Sequence, residues 1–263
     1  MDLWNNYFKW IIGFMLTMSA VPYVTALIAS WLGHVSKSML VSDLGPNSQL
    51  AVGGLGVAIH EFGHASFAFL FGHRVTHMQL LNFHYAESGT LGSVEHTWND
   101  HNVYQRLGNF FIGLAPYYMC SIALYLLQKV LLHNTLNFAS VLKTTGDFEF
   151  NSLSTIVSAV ISNFTNVFSN ASWPMIILYF VLSVMIASTG YDLSSEDLST
   201  VTKGVTPWMI VLAIVSIVMV FLNLKAQMVS LISVVIVFSL LFLVQALIYI
   251  LISMVVIKII GII

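Results

Sequence analysis

The sequence predicts an all-α polytopic membrane protein of about six transmembrane helices, with a small β-hairpin or sheet after the second helix. Three observations carry that expectation. Of 263 residues, 58% are apolar and 8% charged, against about 25% charged in an average soluble domain. The apolar residues gather in six segments, at about 10–32, 50–72, 104–132, 174–190, 206–223 and 229–257, and a span takes about 20 residues. Between the second and third lies VTHMQLLNFHYAESGTLGSVEHTW, residues 75–98, whose short, partly alternating runs around Ser88-Gly89 read as a hairpin.

Taken in order, the first run, WIIGFMLTMSAVPYVTALIASWL, is long enough to span and is flanked only by Lys9, so a retained helix is expected rather than a cleaved leader. The second carries Gly53, Gly54, Gly56 and Gly63, which let a neighbouring backbone approach closely and suit a central helix. The fourth segment is minimal for a span, and the sixth is long enough to tilt or overhang. Pro22, Pro116, Pro174 and Pro207 fall within spans or at their starts, where membrane helices tolerate them. Trp4, Trp10, Trp31, Trp173 and Trp208 stand near span ends, as an interfacial aromatic belt would place them.

Residues 133–172 form a Ser/Thr/Asn-rich polar connection. Its Leu153, Ile156, Val157, Val160, Ile161 and Phe164 keep partial helical spacing, which predicts one interfacial amphipathic helix. The whole chain, 1–263, is expected to form a single integral membrane domain. A net charge of −2 without a basic cluster argues against a nucleic-acid partner. The one cysteine, Cys120, cannot form an intramolecular disulfide or a cysteine-rich metal site. Lys and Arg are too sparse for their loop asymmetry to orient the chain.

Chemistry concentrates in AIHEFGHASF, residues 58–67. His60-Glu61-Phe62-Gly63-His64 has the H-E-x-x-H spacing of a zinc metalloprotease helix. Positions i and i+4 share a helix face, so His60 and His64 can turn ring nitrogens toward one zinc ion. Glu61, one position round, can reach a water on that ion and act as general base. The alternative, three polar groups that merely glue helices together, is a costly use of ionisable residues inside an apolar span.

Catalytic zinc usually takes three protein ligands. The acids Asp192, Glu196 and Asp197, in MIASTGYDLSSEDLSTVTKG, are the main candidates for the third, ahead of Asp147 and Glu149 in the polar connection. Each has a purely local reading. Asp197 suits a capping box with Ser194, and Asp192 suits an Asx-turn. Asp192 and Asp197 both stay open on this ground. His73 and His77 read as a solvated interfacial pair, and His96 follows the hairpin near the mouth of any cavity. Asn109, in RLGNFFIGLAP, suits either a helix–helix contact or a donor that supports the substrate or the oxyanion.

These residues resemble the site-2 protease family of intramembrane zinc metalloproteases, in a bacterial branch. The resemblance rests on AIHEFGHASFAFLFG in an early span, the extended Gly-containing region after it, and QRLGNFFIGLAPYY in the next span. The acid segment after a later span completes it. It covers about residues 50–125 and 187–204, and it implies a metalloprotease core over 50–125 and 174–204. By the resemblance, one zinc ion is held by His60, His64 and an aspartate, and Glu61 activates water. LSSEDLS, residues 193–199, matches the branch's Leu-Ser-x-x-Asp form and so favours Asp197 over Asp192 as ligand.

The function implied is intramembrane metalloendopeptidase, cutting a transmembrane segment of a membrane-protein substrate within the lipid bilayer of a bacterial cell membrane. A sheet edge beside the metal would hold the unwound segment by strand addition. Two other readings compete. One is a metal-binding membrane protein that does not cut, acting as chaperone, sensor or immunity factor. The other is a small ion or proton transporter, which the nearly polar-free last two spans, with Gln245 alone well inside, argue against.

Overall fold

The computed structural model describes residues 2–85, 89–135, 137, 158, 161–162, 164–169 and 171–262. The interfacial helix expected within 133–172 falls largely outside these residues. Among these residues, seven bounded α-helices and one antiparallel hairpin follow in chain order. They are α1 (Asp2–Leu44), α2 (Ser48–Ala51), α3 (Gly54–Leu70), β1 (Arg74–Gln79), β2 (Ser93–Thr97), α4 (Val103–Leu127, closing in a π turn Gln128–Leu132), α5 (Trp173–Ala187), α6 (Ser195–Phe221) and α7 (Lys225–Ile262).

Among the described residues, four helical stretches are long and apolar enough to cross a bilayer, not the six expected: Tyr7–Leu44, Val103–Leu132, Ser195–Phe221 and Lys225–Ile262. The two that drop out are α3, of 17 residues, and α5, of 15. At about 1.5 Å per residue both fall short of a hydrocarbon core about 30 Å thick. Local chemistry stops them. After α3, Gly72 takes φ 70° and the His73 N–H returns to the Ala68 carbonyl at 2.8 Å, a left-handed terminus that glycine allows. After α5 the chain turns through 188–194 into the capping box that starts α6.

The hairpin follows the third helix rather than the second. Gly45 at φ 81° and Pro46 end α1, and the chain then makes the four-residue α2, which the apolar pattern had merged into its neighbour. In the hairpin Arg74 pairs with Thr97 and Gln79 with Ser93, with an irregularity between Val75 and His77.

The helix α4 lies centrally, packed along α3 on one side and α6 on the other, while α1 runs beside α7 and α5 supports α3. Four tyrosines, Tyr117, Tyr179, Tyr191 and Tyr249, are the largest fully buried side chains. Their hydroxyls are satisfied inside the bundle. Tyr179 donates to Tyr249 at 2.6 Å and accepts from Gln128 at 3.1 Å, Tyr117 donates to the Ser239 carbonyl at 3.1 Å, and Tyr191 meets Ser121 at 3.1 Å. A buried hydroxyl without a partner is destabilising, so these bonds fix how the helices register. Trp208, expected in the aromatic belt, packs inward between Phe110 and Phe111 of α4, with ring centroids at 6.0 and 5.0 Å.

Close backbone approach depends on two glycines. A Cβ at Gly56 would sit 2.6 Å from the Ile186 carbonyl oxygen, so α3 can lie against the end of α5 only without it. A Cβ at Gly204 of α6 would collide with the Phe110 backbone nitrogen of α4. Gly204→Ala is therefore expected to destabilise the protein by about 1–3 kcal/mol. Thermal unfolding in detergent checks this, and an unchanged midpoint would contradict so close a crossing.

Candidate metal centre

The middle of α3 presents His60 and His64 on one face, as i and i+4 spacing requires. Each ring is oriented by a backbone carbonyl from another element. The Nδ1 of His60 donates to the Gly190 carbonyl at 3.0 Å, and the Nδ1 of His64 donates to the Ile112 carbonyl at 2.9 Å. Because a carbonyl can only accept, each Nδ1 carries the proton and each Nε2 keeps a lone pair. Those two Nε2 atoms face each other at 3.3 Å. Into the same space comes Asp197, with Oδ1 at 2.9 Å from His64 Nε2 and Oδ2 at 3.6 Å from His60 Nε2.

Asp197 stands in the first turn of α6 and serves a second purpose there. Its Oδ2 accepts from the Ser194 N–H at 2.7 Å, while its own N–H donates to Ser194 Oγ at 3.1 Å. The capping box and the approach to the histidines thus coexist in one geometry: the cap fixes the carboxylate that points at them. Donor atoms of His60, His64 and Asp197 all lie within 4.8 Å of one another, with His64 and Asp197 buried. Two imidazole lone pairs and a carboxylate turned on one point repel one another unless a cation sits between them. Ligands of a tetrahedral zinc, at bonds of about 2.0–2.1 Å, stand roughly 3.3 Å apart, which the observed spacings bracket. The donor set fits zinc, and the two carbonyl bonds to Nδ1 are the outer contacts that metal-binding histidines characteristically make.

Asp192 is engaged elsewhere. Its Oδ2 accepts from Lys37 Nζ at 2.9 Å and its Oδ1 lies 3.3 Å from His34 Nδ1, tying the segment after α5 to α1. Glu196 is exposed on the rim. Asn109 is 1% exposed in α4, and neither of its amide atoms has a hydrogen-bond partner. It lies off the cavity wall, one turn before the Ile112 whose carbonyl holds His64.

A cavity of about 950 Å³ opens onto the histidines and Asp197. Its wall carries Lys37, Glu61, Glu95 and Asp192, so a site set in apolar helices is open to water and polar groups. Glu61 faces this space, and a Cβ at Gly92 would come within 2.8 Å of Glu61 Cγ, so the chain entering β2 lies directly over the carboxylate side chain. The consecutive residues Ser93, Val94, Glu95 and His96 all line the cavity. Side chains on a strand alternate between faces, so a run without gaps marks an edge. The edge is that of β2, whose other side pairs with β1.

Of the other histidines singled out, His73 departs from the expected solvated pair with His77, while His96 lines the cavity it was expected to approach. His73 is 6% exposed and meets His96 across the hairpin, Nδ1 to Nδ1 at 3.0 Å, while His77 is exposed. The register places Val75 opposite His96, which sequence spacing alone could not supply. Lys37 and the carbonyls of Gly190 and Ile112 also escaped the sequence reading, since a backbone acceptor leaves no mark on residue type.

Neither a protein family, nor a characterised protein, nor a solved structure matches this chain.

Proposed function

We propose that this protein is an intramembrane zinc metalloendopeptidase of the site-2 protease kind, with His60, His64 and Asp197 as ligands and Glu61 as general base. The observation that carries the proposal is the convergence of two Nε2 lone pairs and one carboxylate, each locked from behind by the fold. A transporter's relay would not need both imidazoles fixed in the same tautomer toward one point. The four helices among the described residues that are long and apolar enough to cross a bilayer support reading it as an integral membrane protein, here taken to be one of a bacterial cell membrane.

A zinc ion held by His60, His64 and Asp197 would supply a Lewis acid for the scissile carbonyl and make a water acidic enough to lose its proton. Glu61 takes that proton on its carboxylate as the water oxygen bonds to the carbonyl carbon. As the C–N bond breaks, Glu61 passes the proton to the departing amine nitrogen, and the carboxylate is regenerated. The Nδ1–H bonds of His60 and His64 keep both rings aimed during this cycle. The substrate is a transmembrane segment, which must leave its own helical hydrogen bonds before cleavage. The free edge of β2 offers replacement backbone partners for the unwound chain.

The experiment is metal analysis joined to cleavage. Purified in detergent, the protein is expected to hold one zinc per chain and to cut a transmembrane peptide in reconstituted vesicles. Phenanthroline should remove the metal and the activity together, and added zinc should restore both. Full cleavage by metal-free protein would refute the proposal.

A further inference from the structure

The His73–His96 pair takes no part in the chemistry above, yet its protons can be placed. His73 Nε2 donates to the Gln105 carbonyl at 2.8 Å. A neutral His73 then has only a lone pair at Nδ1, so the 3.0 Å bond to His96 requires His96 to donate from its own Nδ1. The chain of tautomers runs one way, from His96 through His73 to the backbone of α4. It leaves His96 Nε2 with a lone pair and no protein partner among the described residues, on a side chain that lines the cavity.

The pair is held rigidly. Trp98 stacks on His73 at 5.6 Å and 23°, and the Lys203 ammonium stands over Trp98 at 5.4 Å. Burial, followed by the neighbouring His73, holds the His96 imidazole down at about 4, and burial lowers His73 as well. Both rings therefore stay neutral at physiological pH, and the His96 Nε2 stays an acceptor.

We infer that His96 is a positioning residue whose Nε2 accepts a hydrogen bond from a peptide N–H of the chain bound along β2, with His73 fixing the tautomer that makes it an acceptor. This rests on the peptidase reading and adds to it a side-chain contact that selects a backbone donor. A peptide N–H fits because the acceptor sits on the strand whose open edge receives an extended chain. A substrate residue lacking an N–H at that position, as proline does, is disfavoured there.

Zinc-loaded full-length protein in detergent micelles, titrated with two probes, tests this. Acetohydroxamate carries only the metal-chelating head, and a tripeptide hydroxamate adds backbone N–H groups. His96→Asn keeps a side-chain N–H for His73 but removes the cavity acceptor. It is expected to weaken the tripeptide probe by about three- to tenfold, the size of one net hydrogen bond, and to leave acetohydroxamate binding unchanged. Methylating one particular backbone nitrogen of the tripeptide should weaken wild-type binding by the same factor and have no further effect in His96→Asn. His96→Gln, which places an amide oxygen near the lost Nε2, should recover part of the affinity.

Unchanged tripeptide binding in His96→Asn, or a methylation penalty that persists in it, overturns the inference while the zinc reading stands. Failure of zinc-loaded wild type to bind acetohydroxamate overturns the metal centre itself, and the inference with it. Should His96→Asn fold poorly, the methylated probes on wild type decide: tripeptide affinity indifferent to methylation at every nitrogen overturns the inference.

Discussion

Glu61→Gln is expected to keep one zinc per chain and to lose peptide-bond cleavage by about 10²–10⁴-fold, the range general acid–base catalysis contributes. Glutamine matches glutamate in shape, so it can occupy the space beneath Gly92 without disturbing the strand above it. It cannot accept and return a proton. Glu61 is not among the three donors that converge, so metal content should not follow activity. Zinc analysis and cleavage of a fluorogenic transmembrane peptide, run on the same preparation, separate the two properties. Glu196→Gln is the matched control, since that acid stands exposed on the same cavity's rim. Its activity should remain close to wild type. Full activity in Glu61→Gln would remove Glu61 from the reaction and leave only metal binding.

The parts of this site that a sequence displays are the local ones. His60 and His64 are joined by one helical turn, so their common face follows from spacing alone. The acid far downstream was ambiguous for a physical reason: Asp197 sits where a capping box and a ligand want the same residue, and Asp192 sits where a turn wants an aspartate. The resemblance favours Asp197, and the packing of α6 against α4 and of α1 against the 190s separates them physically, sending one carboxylate to the histidines and the other to Lys37.

Span number failed similarly. Apolar windows register hydropathy without telling where a helix stops, so α3 and α5, which end after 17 and 15 residues, read as spans. The hairpin was visible in its alternation, but the His73–His96 pairing was not. It depends on register across an irregular ladder, which no spacing along the chain encodes.

Asp197→Ala should separate the cap from the ligand, provided it is read beside Ser194→Ala and Asp192→Asn. Ser194→Ala removes the hydroxyl that accepts the Asp197 N–H, an N-cap loss of about 1 kcal/mol, and leaves the carboxylate beside His64. Its zinc should remain, with a lower unfolding midpoint. Asp192→Asn loosens the tie to Lys37 and also keeps its zinc, because that side chain donates nothing to the convergence at His60 and His64. Asp197→Ala loses the reciprocal half of the capping box, the Ser194 N–H bond to Oδ2, together with the third donor. Its zinc affinity should drop by more than about 100-fold, beyond the loss that outer contacts usually cause. Competition with a chromogenic zinc chelator, together with thermal unfolding, resolves the three variants. The assignment fails if Asp197→Ala binds zinc as tightly as Ser194→Ala, since each variant loses one half of the capping box and only Asp197→Ala also loses the carboxylate. It is reversed if Asp192→Asn is the variant that loses the metal, because α1 and Lys37 would then be holding the ligand and α6 merely its own first turn.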